Sequence, residues 1–180
     1  MIAVLCIMAI FLALAFSILL TASVAYSSSQ SSMAAEKCKI MAVSLSDALS
    51  SSLTERGQNE NALQKYVHDA MKDRSWSYYR EDEAFHNDKA SVSREYEVST
   101  DSTGTVLPSG YTVRITMYWS PEEETIINYN KDDSFKGSIL YVTAVCSMGG
   151  GTYQARSSYS LSVSEQEDSM QWIWDAEGRE

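Results

Sequence analysis

The sequence has few of the side chains that most enzymes use for catalysis. Only 2 histidines and 3 cysteines occur among the 180 residues. No Ser-His-Asp, Cys-His or His-Glu-x-x-His pattern is present, and the triplet Gly149–Gly151 lacks the Lys-Ser/Thr pair that follows in a phosphate-binding loop. The sequence therefore predicts a protein that is not an enzyme and that needs no cofactor.

Positive charge is also scarce. The 14 Lys and Arg residues are outnumbered by 24 Asp and Glu residues, which gives a net charge of -10. Nucleic-acid binding needs clustered Lys and Arg, so we expect no nucleic-acid partner. His86, with acidic neighbours on both sides, is compatible with a divalent cation, but we interpret this segment as a solvated loop and predict no metal site.

Charges are missing altogether from the start of the chain. The run Met1–Ala25 is apolar except for Ser17, Thr21 and Ser23, and the first charged residue is Glu36. As an α-helix this run extends about 37 Å, enough to cross a hydrocarbon core of ~30 Å. A cleaved signal peptide is the alternative, but such peptides have a basic leader and a shorter apolar stretch. We therefore predict one membrane-spanning helix over residues 1–25.

The orientation of that helix is weakly marked, because Lys37 and Lys39 are the nearest basic residues. If Met1 is the initiator, the remainder of the chain is expected in the cytoplasm. If a basic leader has been removed, the remainder is expected outside the cell. The acidic, Ser-, Thr- and Tyr-rich body is typical of exported proteins, so we favour the second interpretation and predict a cell-membrane and extracellular location.

The helical pattern continues beyond the apolar run. The segment Ser27–Leu53 contains no Gly or Pro. Apolar residues recur in it at helical spacing, at Met33, Ile40, Met41, Leu45, Ala48, Leu49 and Leu53. We predict one helix from Met1 to about Thr54, stopped by Gly57, and a second helix from residue 59 or 60 to Arg74.

Beyond Trp76 the pattern alternates, which indicates strands. Strands are predicted at Ser93–Ser99, Tyr111–Trp119, Thr125–Tyr129, Ser138–Ser147 and Thr152–Val163, with an edge strand in the tail around Trp172–Trp174. Short turns join them, so we predict an α+β fold in which the long N-terminal helix packs on an antiparallel β-meander. The expected divisions are a transmembrane or assembly helix (1–25), an amphipathic stalk (26–56) and an extracellular α+β head (57–180).

This order of elements resembles the type IV pilins and pseudopilins. The resemblance lies in the apolar run Met1–Ala25, the uninterrupted stalk Ser27–Leu53 and the strand-rich segment Ser91–Val163. It implies a structural subunit of an extracellular filament or pseudopilus, whose partners are copies of itself or related subunits. The residues assigned to the assembly helix are Met1, Leu5, Ala9, Ala13, Phe16 and Leu20.

The chain departs from that family at Leu5, where shaft-forming members usually carry a Glu that neutralises a neighbour's N-terminal amine. It also lacks the helix-breaking Gly or Pro of the apolar half. Either the helices pack differently here or this is a specialised subunit, for example one at a filament tip. A different function remains as an alternative: a single-pass anchored surface protein whose acidic β-rich domain binds a partner or ligand.

The remaining candidates are cysteines, one histidine and aromatic residues. Cys6 is expected to be a small apolar residue of the helix, with lipidation as the alternative. If the stalk packs on the sheet, Cys38 and Cys146 either form one disulfide or remain two buried thiols. His68 is expected at the surface. The aromatic residues are expected in the core, with glycan binding as an alternative: Trp76, Tyr78, Tyr79, Trp119, Trp172 and Trp174.

Overall fold

The structure, a computed structural model, describes residues 2–57, 59–73, 75–79, 92–98, 110–121, 135–166 and 169–179. Within these ranges it contains two helices and five strands. They are α1 (Ile2–Thr54), α2 (Ala62–Lys72), β1 (Arg94–Val98), β2 (Thr112–Ser120), β3 (Ile139–Met148), β4 (Gly151–Gln166) and β5 (Ser169–Arg179). The predicted strand Thr125–Tyr129 and the segment around His86 lie outside the described residues.

The five strands form one antiparallel sheet in the order β1-β2-β3-β4-β5. Each strand pairs with its neighbour along the chain, so the predicted meander is confirmed, and the tail forms the edge strand β5. Gly149 and Gly150 connect β3 to β4 with φ angles of 53° and 85°. A two-residue hairpin turn with positive φ at both positions has the twist that antiparallel strands need, and glycine adopts it without strain.

Helix α1 is continuous through the serine-rich segment 27–32 and then packs on one face of the sheet. The side chains that it buries there are Ala34, Cys38, Ala42, Ser46 and Leu53. Three of the apolar residues that recur at helical spacing are exposed instead: Met33 at 58%, Ile40 at 60% and Ala48. Small residues spaced four apart face the sheet because the helix lies too close to it for larger side chains.

Helix and sheet approach closely at Gly151, the first residue of β4. A Cβ atom added there would lie 2.6 Å from the backbone nitrogen of Ala35 and 2.9 Å from the carbonyl carbon of Ala34. The Cys38 thiol donates to the carbonyl oxygen of Gly151 across the same contact, with 3.6 Å between the sulfur and the oxygen. The absence of a side chain at Gly151 therefore sets how closely α1 packs.

The end of α1 and the start of α2 share their capping groups. The side-chain oxygen of Asn61 accepts from the backbone of Leu63 and Gln64, and the Gln64 side-chain oxygen accepts from the Asn61 backbone. The Gln64 amide group also donates to the carbonyl oxygens of Leu53 and Glu55, at 2.8 Å each. This reciprocal box explains why α2 begins at Ala62, later than predicted.

Two further groups of side-chain hydrogen bonds connect α1 to the sheet, one in the buried interface and one at its exposed side. The hydroxyl oxygens of Ser46 and Ser157, both buried, lie 3.0 Å apart. A register shift between Ser158 and Tyr159, where β4 pairs with β5, then turns Arg179 toward the helix. Its guanidinium donates to the Asp47 carboxylate at 2.6 Å and to the Val43 carbonyl oxygen at 3.2 Å.

Replacing Gly151 with alanine is expected to destabilise the head by about 2–3 kcal/mol, because the new Cβ meets helix backbone that cannot rotate away. The free energy of unfolding in denaturant, measured on the full chain in detergent micelles by near-UV circular dichroism, checks this. The exposed Gln154→Ala in the same strand is the matched control and is expected to change stability by less than about 0.5 kcal/mol. Equal effects of the two substitutions would contradict the proposed close contact.

Replacing either Ser46 or Ser157 with alanine leaves the other hydroxyl buried without its partner, which is expected to cost about 1–3 kcal/mol. The double alanine variant removes both polar groups and is expected to cost less than the sum of the single variants. A double-mutant cycle in denaturant measures this coupling. Strict additivity would show that the two hydroxyls do not interact.

Candidate functional site

A continuous exposed surface runs along α1 before the helix reaches the sheet. All residues from Leu14 to Met33 are exposed, and we call them the bare segment. Twenty helical residues extend about 30 Å. Its large apolar side chains are Leu14, Phe16, Ile18, Leu19, Leu20, Val24, Tyr26 and Met33.

The first half of the bare segment is apolar on every side of the helix. Successive residues are rotated by about 100°, so Leu14 and Ile18 lie on one side while Leu19 and Leu20 lie on others. A helix that is apolar all round is normally buried, in lipid or among other helices. No described side chain of the head covers this half, so its environment must come from outside the head.

The hydroxyl group of Thr21, within the apolar run, needs no partner from outside the helix. Thr21 Oγ1 donates to the carbonyl oxygen of Ser17, one turn earlier, at 2.8 Å. A hydroxyl that is bonded within its own helix costs little to bury, unlike one left without a partner. Thr21 is therefore compatible with apolar surroundings on all sides.

The predicted assembly residues lie on this helix as far as they are described. Phe16 and Leu20 are 70% and 59% exposed, and they lie one turn apart on the same side. Leu5, Ala9 and Ala13 lie in α1, but the structure describes the backbone alone at these positions, and Met1 lies outside the described residues. Their role in assembly stays a prediction.

Two apolar residues of the predicted stalk are exposed near this surface, and their helical spacing did not predict that exposure. Met33 and Ile40 are seven residues apart, which is about two turns, so they lie on one side of α1. That side differs from the one that Ala34 and Cys38 turn to the sheet. The available signal was residue volume, because small residues at positions 34, 38 and 42 mark the face that packs closely.

Cys38 and Cys146 meet where α1 crosses β3, as the packing of the stalk on the sheet implies. Both are fully buried and are free thiols in this structure. Burial, and after it the interaction with Cys38, raises the pKa of the Cys146 thiol to about 12. The disulfide stays a prediction, and the side chain of Cys6 lies outside the described set.

His68 is largely buried, and the expectation that it lies at the surface is wrong. Its ring stacks on Trp172, with 4.1 Å between the ring centroids, and its Nδ1 lies 2.9 Å from a carboxylate oxygen of Glu60.

The tryptophans considered for glycan binding are not available at the surface, because all four are core residues: Trp76, Trp119, Trp172 and Trp174. Among the described residues no group of three or more His, Cys, Asp or Glu side chains could hold a metal ion.

A groove of about 330 Å³ lies between the end of α1 and strand β5. The Arg56 guanidinium pairs with the Asp175 carboxylate at 2.9 Å, and the Gln171 amide donates to the carbonyl oxygen of Gly57 at 2.7 Å. Both contacts connect the chain after α1 to the edge strand. The groove is thus part of the contact between the end of α1 and the sheet.

Comparison with known proteins gives no relative. No family model, curated protein or solved structure matches the chain. The long helix packed on an antiparallel sheet is the arrangement that the pilin resemblance implies, but it is not specific to that family. Among the residues that are described, no helical stretch has both the length and the hydropathy of a membrane span.

Proposed function

We propose that this protein is a structural subunit of an extracellular filament of the type IV pilus or pseudopilus kind, assembled by packing of its N-terminal helices. The observation that carries the proposal is the bare segment of α1, which exposes large apolar side chains on all sides of the helix. A surface of this kind is unfavourable in water.

The size of the apolar surface limits where the helix can reside. At about 25 cal/mol per Å² of apolar surface, burying the run Met1–Ala25 is worth tens of kcal/mol. Lipid and the helices of other subunits are the two surroundings that offer this burial. A subunit is therefore held in the cell membrane by one span and, on extraction, exchanges lipid for neighbouring helices.

Features of the run are compatible with close helix packing. Small residues let helix backbones approach, and the run contains several of them, at Ala9, Ala13, Ala15, Ser17 and Ala22. The bond from the Thr21 hydroxyl to the Ser17 carbonyl keeps a polar group from needing an outside partner. The partners are accordingly copies of this chain or related subunits.

The head and stalk form the outer surface of such an assembly. Every charged residue lies at Glu36 or later, so the net charge of -10 belongs to this part of the chain. Met33, the last residue of the bare segment, and Ile40 form a separate apolar pair beyond the serine-rich residues 27–32, on a side that the sheet does not cover. These two residues supply a second contact between subunits, beyond the apolar run.

A second candidate function is a single-pass anchored surface protein whose acidic head binds a partner or ligand. Leu5 favours it, because the resemblance implies a Glu at this position in shaft-forming subunits. In this case the helix stays in lipid throughout. The two functions differ in whether the chain ever leaves the membrane as part of a filament.

Replacing Leu20 with aspartate is expected to abolish filaments while leaving the head folded. A carboxylate in apolar surroundings costs about 2.5–3.5 kcal/mol per subunit on membrane-insertion scales, and the Leu20 side chain has no contact with the sheet. Electron microscopy of producing cells with a labelled head measures filaments, and near-UV circular dichroism measures the fold.

Ser28→Asp is the matched control, because Ser28 is exposed on the same helix outside the apolar run. It is expected to leave filaments intact. Unchanged filaments in the Leu20→Asp variant would contradict assembly through the apolar helix. A wild-type chain that is found in the membrane fraction and never in filaments would favour the anchored surface protein.

Replacing Ile40 with asparagine is expected to reduce the number of filaments without changing the stability of the head. Burying an isoleucine side chain stabilises by about 1.5–3 kcal/mol. The substitution removes this stabilisation from the contact between subunits and not from the fold of the single subunit. Filaments counted per cell and the denaturant unfolding of the detergent-solubilised subunit measure the two effects. Lys39→Asn, at an exposed neighbouring position, is the control, and an equal loss of filaments in both variants would exclude a specific contact at Ile40.

A further inference from the structure

We infer that Cys38 and Cys146 are the two halves of a disulfide that joins helix α1 to strand β3 during folding and is then sealed inside the head. Both side chains are fully buried in one small cluster with Ala42, Val113 and Ala155. Cys38 comes from α1 and Cys146 from β3, two elements that pack on each other, so the cluster brings the two side chains together at this contact.

Rigid backbone on both sides holds the two sulfur atoms together. Cys146 lies in the middle of the sheet, because β3 pairs with β2 at Val113 and with β4 at Tyr153. On the other side α1 is held by the contact of Ala34 and Ala35 with Gly151, only one turn before Cys38. The pair is therefore positioned by a helix and a sheet and not by loops.

The surroundings of the pair exclude other uses for two thiols. The cluster consists of apolar residues, and no described His, Asp or Glu joins the two cysteines to make a metal site. A reactive thiol is partly exposed and lies near positive charge, whereas these two are buried in apolar surroundings. Joining to each other is the reaction that this geometry favours.

The proposed reaction is thiol–disulfide exchange with an external disulfide, either of an oxidoreductase or of a small molecule. The thiolate of one cysteine attacks a sulfur atom of that disulfide, which releases one thiol and leaves a mixed disulfide. The thiolate of the second cysteine then attacks the mixed disulfide and releases the second thiol. The two cysteines lose two electrons and two protons, and the external disulfide is reduced to two thiols.

The folded head prevents this exchange. Both cysteines are fully buried, so an external disulfide has no access to either sulfur atom. Burial also raises the pKa of Cys146 to about 12, so this thiol is almost entirely protonated at neutral pH. The bond must therefore form before α1 docks on the sheet. Once α1 has docked, the same burial protects the disulfide from reductants.

The position of the link suits a subunit that is held by its helix. Cys38 lies one turn after Ala34, which is the first residue of α1 that the sheet buries among the side chains described from Leu14 onward. A pulling force on the bare segment would separate α1 from the sheet first at this end. A covalent bond here keeps the head attached to the helix, whether the helix lies in a filament or in lipid, so the inference does not depend on the proposed function.

The test uses the full chain carrying Cys6→Ala, so that Cys38 and Cys146 are its only cysteines. The reduced, denatured chain is refolded into detergent micelles with excess oxidised glutathione, then denatured and treated with a maleimide reagent. We expect an intact mass that is lower than that of the fully reduced chain by two hydrogen atoms, and no maleimide label. After reduction of the disulfide, we expect two maleimide labels. Free thiols or glutathione adducts on both cysteines would overturn the inference.

The order of events has its own test. Oxidised glutathione that is added after refolding is expected to close the disulfide at least about tenfold more slowly than when it is present from the start, because the folded head must first open. Equal rates of disulfide formation in the two experiments would overturn the proposal that the folded head protects the two cysteines from exchange. Cys38→Ala on the same background is the control: it is expected to retain one cysteine that glutathione or maleimide modifies, and its near-UV circular dichroism shows whether the head still folds.

Discussion

The close approach of α1 to the start of β4 is the constraint on which the rest of the structure depends. Gly151 leaves no room for a side chain against the backbone of Ala34 and Ala35. This contact selects small residues on the helix face toward the sheet and leaves Met33 and Ile40 outside. It also places Cys38 beside Cys146, so the interface and the thiol pair have one geometric cause.

The types and order of the elements could be predicted because they follow from periodicity. The end of α1 at Thr54, the antiparallel meander and the edge strand β5 all follow from patterns of apolar residues and turns. The face of the stalk that packs on the sheet could not be predicted in the same way, because periodicity counts apolar residues without regard to their volume. His68 was misplaced for a related reason, since Glu60 and Trp172 compensate its burial only in three dimensions.

The candidate site was predictable in composition but not in extent. An uncharged apolar run was evident from the sequence, and Phe16 and Leu20 are exposed on one side of α1 as an outward-facing surface requires. The point at which the bare segment ends depends on where the sheet begins to cover the helix. That point is fixed by contacts between residues near 34 and 151, which no local pattern along the chain encodes.

One helix therefore combines two kinds of surface with different consequences for orientation. The first half of the bare segment is apolar on all sides, so its burial is favourable at many rotations of the helix about its axis. The stalk is the opposite case, because small residues at every fourth position and the contact at Gly151 permit one rotation relative to the sheet. Since α1 is continuous between the two, the direction in which the head points is decided by the rotation of the bare segment. Contacts that fix this rotation, such as those proposed for Met33 and Ile40, thus act on the arrangement of the heads as well as on affinity.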